Sequence, residues 1–520
     1  TNPTFTSNTK NIDFLDAAAD SIKLGNSSNL TVNSTGAGSI SFAADIIGTA
    51  EGAATDITVA AGSGNVTVFG IGHATNDINN ISLTGETVNL KGNVVTGNWT
   101  NDSNQEQIGS FVIGDGSEVE LFGEAITIDT DNGSGAGGAV TFPETVEADH
   151  ENATLTITSG EGKVTFDGVI GGTDGDELGG LDINSSAGDG IIELAQIGHS
   201  TDARGGVIGT VAIGNTDTTQ IDFEGAIYKF DGATTITGET GTSDGVFDFT
   251  AGSATTLTTY EDTLKFVGGT IDLDASTNLT ITSLGGAIEI EGVRGDSSET
   301  ISISANKGAA GSDVETVLIG EGGIGELDQI LTVDITAADG ITLEGDIITS
   351  NGGENANVTL TGKTFISGDV TIDTDNADED GVIKFTSTVD SKSGSTGNLT
   401  ILAGDTDDNG GIDFEGIIGG TTALGTLNIN ATAGTVAITV PQIGTGNNDG
   451  AADNGKGAGA TSIGNATSGD ITLSATGVDT EYNFSGNTIF KSGGSIKFTA
   501  AAPKIDTDGE GSTLDFEAGI

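Results

Sequence analysis

The chain has no cysteine and no methionine, four prolines, one tryptophan and three tyrosines, and its basic residues number 16 against 76 acidic ones. Without cysteine, neither disulfides nor thiolate metal sites can hold the fold, so apolar packing and hydrogen bonding must. Arginine occurs only at Arg204 and Arg294, and a formal charge of -60 argues against nucleic acid, whose phosphates require clustered Lys and Arg. The same charge repels anionic membrane surfaces and favours divalent cations or basic partners. No apolar run approaches the ~20 residues of a membrane helix. Since Thr1 is not a translation start, the chain reads as processed or excised from something longer. Extracellular or cell-surface placement is the expectation, with no direct membrane span.

What is present is repetition. Asn29-Leu-Thr-Val32 with Ile40-Ser-Phe42 returns as Thr154-Leu-Thr-Ile157 with Val164-Thr-Phe166, as Asn278-Leu-Thr-Ile281 with Ile288-Glu-Ile290, and as Asn398-Leu-Thr-Ile401 with Ile412-Asp-Phe414. Phe42, Phe166, Ile290 and Phe414 are 124 residues apart at each step, and the Ile-Gly pairs at Ile71, Ile197, Ile319 and Ile443 keep spacings of 126, 122 and 124. This divides the chain into a partial leading turn (1–28) and four repeats: 29–153, 154–277, 278–397, and 398–520 with a trailing turn. The ending Leu514-Asp-Phe516 resembles Ile12-Asp-Phe14, so the chain starts and stops near one phase.

Within a repeat, apolar-polar-apolar triplets such as Ile57-Thr-Val59, Val66-Thr-Val68 and Ile81-Ser-Leu83 alternate with glycine-rich corners. Strands this short suit an all-β parallel β-helix, a β-solenoid, better than a sandwich, whose strands run to about 5 or 6 residues. No glycine-free 3.6-residue stripe suggests a helix. The motif at Phe166-Asp-Gly168-Val-Ile170, Phe223-Glu-Gly225-Ala-Ile227 and Phe414-Glu-Gly416-Ile-Ile418 places an aromatic inward before a glycine expected to bend with positive φ. With roughly 20 to 30 residues per turn, about twenty turns at ~4.8 Å each would make a rod.

Segments such as LTITSGEGKVTFDGVIGG and LTILAGDTDDNGGIDFEGIIGGTTALGTLNINA resemble the repeats of filamentous-haemagglutinin-type giant bacterial surface adhesins, along nearly the whole chain. The resemblance implies a right-handed parallel β-helix exported for adhesion or matrix building, and it carries over no catalytic residue.

Four acidic loops are candidate Ca2+ sites: Asp129 and Asp131; Asp373, Asp375 and Asp378; Asp405 and Asp407; and Asp506 and Asp508, the last with Glu517 at the twelfth position of an EF-hand-like spacing. Alternating carboxylates can converge on a hard cation, and Asp, Asn and Gly equally make good turns. Gly322-Gly323-Ile324-Gly325-Glu326-Leu327 fits the RTX calcium nonapeptide poorly, with Leu where Asp is needed. His73 and His199 share a repeat position that the other repeats fill with Glu321 and Thr445, and with His150 they read as solvated loop residues. Arg294 is expected to pair a neighbouring Glu, and a catalytic β-helix would mark one place rather than vary its loops. An enzyme is therefore not expected.

Sequons at Asn29, Asn98, Asn152, Asn278, Asn357, Asn398 and Asn465 make glycosylation possible, though the Asn before Leu-Thr is more simply a repeat residue. Neither end has capping character, so the expected partners are other copies joined head to tail in a filament, or cell-surface and matrix components. A monomeric glycan- or protein-binding stalk is the alternative, and a carbohydrate-active β-helix a more distant one.

Overall fold

In a computed structural model the chain is an all-β parallel solenoid, and no helix occurs among the described residues. The structure describes all residues except 1, 15–20, 50–54, 98, 101–105, 133–135, 150–152, 174, 185, 187, 200–204, 240–246, 261, 307–313, 350–355, 376–380, 405–410, 431–435, 445–456, 475–480, 500–503, 508–511 and 519–520. It comprises two compact units, Thr1–Ala251 with Thr255–Gly269, and Gly252–Ala254 with Thr270–Ile520.

In each unit successive turns lay strands onto three parallel stacks. In the first unit, the first stack runs through Leu30–Ser34, Ile57–Ala60, Ile81–Thr84, Phe111–Ile113 and Val140–Phe142 to the start of Val164–Ile170. The second includes Ile12–Phe14, Ile40–Phe42, Val66–Val68, Thr87–Leu90, Glu118–Leu121 and Val146–Ala148. The third includes Ala125–Asp129, Thr154–Thr158, Gly180–Ile183 and Val211–Ile213. The second unit repeats the plan, for example with Leu279–Ser283, Thr300–Ala305, Thr332–Ala337, Val358–Thr361 and Val382–Phe385 in its second stack. Parallel register partners on successive turns are as few as 18 residues apart, Ile78 and Thr96, and as many as 39, Ile443 and Tyr482.

The alternating triplets work as two-sided strands. In Ile40-Ser-Phe42 the outer two side chains are buried and the middle one faces out, because successive side chains in a strand point to opposite faces. Like residues stack on like: ring centroids lie 4.7 Å apart for Phe14–Phe42, Phe142–Phe166 and Phe385–Phe414, and 4.6 Å for Phe223–Phe249. As the 124-residue spacing predicts, Phe42, Phe166, Ile290 and Phe414 are all buried.

They are not at equivalent places on the turn, however. In the first unit Phe42 is in the second stack and Phe166 in the first, while Leu30 is in the first and Leu155 in the third. In the second unit Leu279 is in the second stack and Leu399 in the first. Within each unit, therefore, one repeat advances four and two-thirds turns, and each step moves a residue back by one stack. The three stacks accept one another's side chains because each asks only for apolar inward positions.

Two sequence expectations need correcting. The glycines of the Phe-x-Gly motif do not take positive φ; they are needed because the previous turn is close. A Cβ on Gly225 would fall 1.4 Å from the Ala195 carbonyl oxygen, and one on Gly168 2.2 Å from the Glu144 carbonyl carbon. Positive φ belongs to the glycine after the motif's Ile, at Gly171 (60°) and Gly419 (64°). The third-repeat equivalent of Ile71-Gly and Ile197-Gly is Ile324-Gly325 rather than Ile319-Gly320. Gly72, Gly198, Gly325 and Gly444 share φ of 72–77°, and each donates its N–H to a carbonyl one turn earlier (Ile46, Ile170, Val293 and Ile418).

Candidate functional site

The corners of the turns hold the polar chemistry. Four corner asparagines share one role: the side-chain oxygen accepts a backbone N–H from the following turn. Asn29 accepts from Asp56 (3.1 Å), Asn80 from Ser110 (3.1 Å), Asn278 from Thr300 (2.9 Å) and Asn357 from Val382 (2.8 Å). These N–H groups lie at the edges of strands, where the backbone ladder does not reach, and an unpaired one is costly. The sequons therefore coincide with a structural role: Asn29 and Asn398 also donate through Nδ2, to Asp56 (3.1 Å) and Asp369 (2.5 Å), while Asn98 and Asn152 lie outside the described residues.

Of the acidic loops, the structure describes one well. At the end of strand Ala125–Asp129, the Asp129 carboxylate accepts the N–H groups of Asp131 (3.1 Å) and Asn132 (2.7 Å), an Asx turn that fixes the chain direction. Asn132 has φ of 42° and donates through Nδ2 to the buried Asp77 (3.2 Å). Asp77, Asp129 and Asp131 thus share a corner, with Asp131 almost buried.

At the matching position Asp373 accepts from Asp375 N–H (2.9 Å). Burial pushes the Asp373 carboxyl above its ordinary range, the Asp375 N–H opposes this, and nearby Asp346 adds to the rise. Asp378, Asp405, Asp407 and Asp508 lie outside the described residues.

At the fourth loop, Asp506 and Glu517 stand on two different strands, and residues 508–511 between them lie outside the described residues. Asp506 belongs to strand Lys504–Thr507, which pairs with Glu481–Phe484, whereas Glu517 lies in strand Leu514–Ala518, which pairs with Thr488–Ser492, and forms an ion pair with Lys491 (2.7 Å). Strand flanks carry these two residues onto different faces of the turn, where an EF-hand would fold them into one loop. Among the described residues, no group of three or more His, Asp or Glu side chains is arranged to hold a metal ion.

The residue between the aspartates does the closing. In Asp129-Thr-Asp131 and Asp373-Thr-Asp375 the threonine is fully buried, and its hydroxyl donates to the carbonyl on the returning side of the loop, Thr130 to Gly138 (2.6 Å) and Thr374 to Gly381 (3.1 Å). Thr96 does the same to Gly109 (2.7 Å) and Thr349 to Ala356 (3.1 Å). Among the described residues each unit thus carries two such loop necks on adjacent turns, linked by Thr96 N–H to the Asp129 carbonyl and by Thr349 N–H to the Asp373 carbonyl. Beyond the Thr96 neck, Trp99–Thr100 and Glu106–Gln107 pair as an antiparallel hairpin. The signal was in the sequence, as a threonine that continues an inward-facing alternation.

Elsewhere, His73 and His199 are exposed and His150 lies outside the described residues. Arg294 pairs with Asp272 of the preceding turn (2.5 Å). Glu299, fully buried, gathers the N–H groups of Ser276 (2.9 Å), Asp296 (2.6 Å) and Ser298 (3.0 Å) and the Ser298 hydroxyl. Burial alone would raise its pKa, but these donors outweigh burial and hold the carboxyl below the ordinary range.

Comparison of the chain with protein families, with curated proteins and with solved structures finds no match. No helix among the described residues is long and apolar enough to cross a membrane.

Proposed function

We propose that this protein is an extracellular structural or adhesive fibre, in the manner of the filamentous-haemagglutinin-like surface adhesins its repeats resemble, and that copies associate head to tail. The observation that supports this most is the use of the corner side chains. Asn29, Asn80, Asn278 and Asn357 each hold the next turn in register, so polar groups that could serve a binding site extend the stack instead. Inward positions that tolerate exchange between stacks fit a protein in which stiffness and repetition are the function.

Parallel strands offer backbone donors and acceptors along the stacking direction, so a further turn from another copy can pair with a terminal strand. Such a contact does not close on itself and propagates into a fibre. A matrix or cell-surface partner belongs to the same proposal. Electron microscopy of the isolated chain tests it: filaments support head-to-tail association, and dispersed monomers at high concentration, unchanged by deleting 512–520, overturn it. Turnover of any acidic or neutral polysaccharide would favour the enzyme reading instead.

A further inference from the structure

On the outward face of the first unit, parallel in-register pairing stacks carboxylate on carboxylate. Glu120 is the register partner of Glu147 on the next turn, and Glu193 is followed by Asp222 and then Asp248 on successive turns. Adjacent strands are ~4.8 Å apart, so like charges directly opposite destabilise the pairing.

The second ladder is partly relieved. Lys163 pairs Glu193, and Gln220 Nε2 donates to both Asp222 (2.8 Å) and Asp248 (2.9 Å). Glu224 stands beside it and is pushed above its ordinary range by burial, then by Glu193, Asp222 and Asp167, with Lys163 acting against them.

Around Glu120, relief is weaker. Its own strand contributes Glu118, the next turn Glu147 and Asp149, and the loop beyond Asp176. The preceding strand Thr87–Leu90 offers the neutral Asn89, whose amide donates to Thr67 (3.1 Å). The nearest cation of that turn, Lys91, sits over the Phe122 ring, 4.8 Å from its centroid. The Thr173 hydroxyl donates to Glu147 (2.5 Å). Burial raises the Glu120 carboxyl, and Asp149, Asp176, Glu147 and Glu118 raise it further.

We propose that these stacked carboxylates act as an acid- and salt-sensitive brake on the first unit, loosening its turns at neutral pH and letting them tighten on mild acidification. The direction follows from linkage. A carboxyl whose pKa is higher folded than unfolded binds its proton preferentially in the folded state, so stability rises as pH falls through the folded value. In the second unit Glu299 acts in the opposite sense at lower pH, since its depressed pKa makes its contribution disappear as pH falls further. The brake is thus released in a window above the one in which Glu299 fails.

The test is thermal unfolding of the full chain at low salt from about pH 8 to about pH 5. The melting temperature is expected to rise over this range. Glu120→Gln should raise it at the alkaline end and shrink the rise, while Asp115→Asn, on an exposed turn, should leave the rise unchanged. Added sodium chloride should stabilise the parent at the alkaline end and have little effect at the acid end. A flat or falling melting temperature, or a rise shrunk equally by Asp115→Asn and Glu120→Gln, overturns the proposal, the latter by showing that net charge alone is responsible.

Discussion

Repeats one and three turn their corners differently from repeats two and four. In the former, pairs of buried threonines close side loops: Thr96 and Thr130 in one, Thr349 and Thr374 in the other. In the latter a buried asparagine carries the chain through left-handed backbone, Asn184 at φ 52° and Asn430 at φ 46°. Asn184 accepts Ser159 N–H (2.7 Å), and Asn430 accepts Ala403 N–H (2.8 Å) and donates to the Ala403 carbonyl (2.6 Å). A second asparagine one turn on, Asn215 or Asn465, donates to the backbone oxygen of the first.

The inward residues thus recur every 124 residues, while these corner devices recur about every two repeats. Apolar positions are interchangeable because burial has no direction. Corner positions are not, because a hydrogen bond needs its partner at one distance and angle.

Disrupting the shared interior should cost more than disrupting either corner. Phe166→Ala, which leaves Phe142 without its stacked partner, is expected to lower stability by about 3–5 kcal/mol in equilibrium denaturation. A loss under ~1 kcal/mol would mean that the interior is not what the repeats share.

Asn430→Ala should cost about 1–3 kcal/mol, because it strands the Ala403 N–H and carbonyl and puts a Cβ-bearing residue with no side-chain hydrogen bond at positive φ. Asn430→Gly separates the two contributions: it relieves the backbone strain and still leaves the Ala403 groups unpaired. Equal losses for Ala and Gly would assign the whole effect to the hydrogen bonds.

Thr130→Val retains volume and removes only the hydroxyl, leaving the Gly138 carbonyl without this donor, so about 1 kcal/mol is expected. Faster proteolysis within residues 131–138, with the rest of the chain intact, would locate the damage at the loop neck.

Glu299→Gln should lower stability at neutral pH and flatten its loss in acid, because the depressed folded pKa means that Glu299 stabilises above its unfolded pKa and ceases to do so as pH falls through the folded one. An unchanged acid limb would remove Glu299 from the account. The smallest effect is expected from chelation. The Asp129 and Asp373 carboxylates are already occupied by backbone N–H groups, so EDTA should shift the melting temperature little. A clear fall, with calcium heat in calorimetry, would favour the calcium reading over simple turns.

The sequence by itself determined the all-β solenoid, the 124-residue recurrence and the burial of Phe42, Phe166, Ile290 and Phe414, since alternation and spacing are properties of the chain written in one dimension. It also pointed to Asn29, Asn278 and Asn398 as repeat residues. Only the tertiary structure decided that a repeat spans four and two-thirds turns, that Gly168 and Gly225 answer to a neighbouring turn, that Thr130 rather than its flanking aspartates closes a loop, and that Glu120 meets Glu147. These depend on which residue lies one turn away, at separations from 18 to 39 residues, and loop length sets that number turn by turn without leaving a periodic mark.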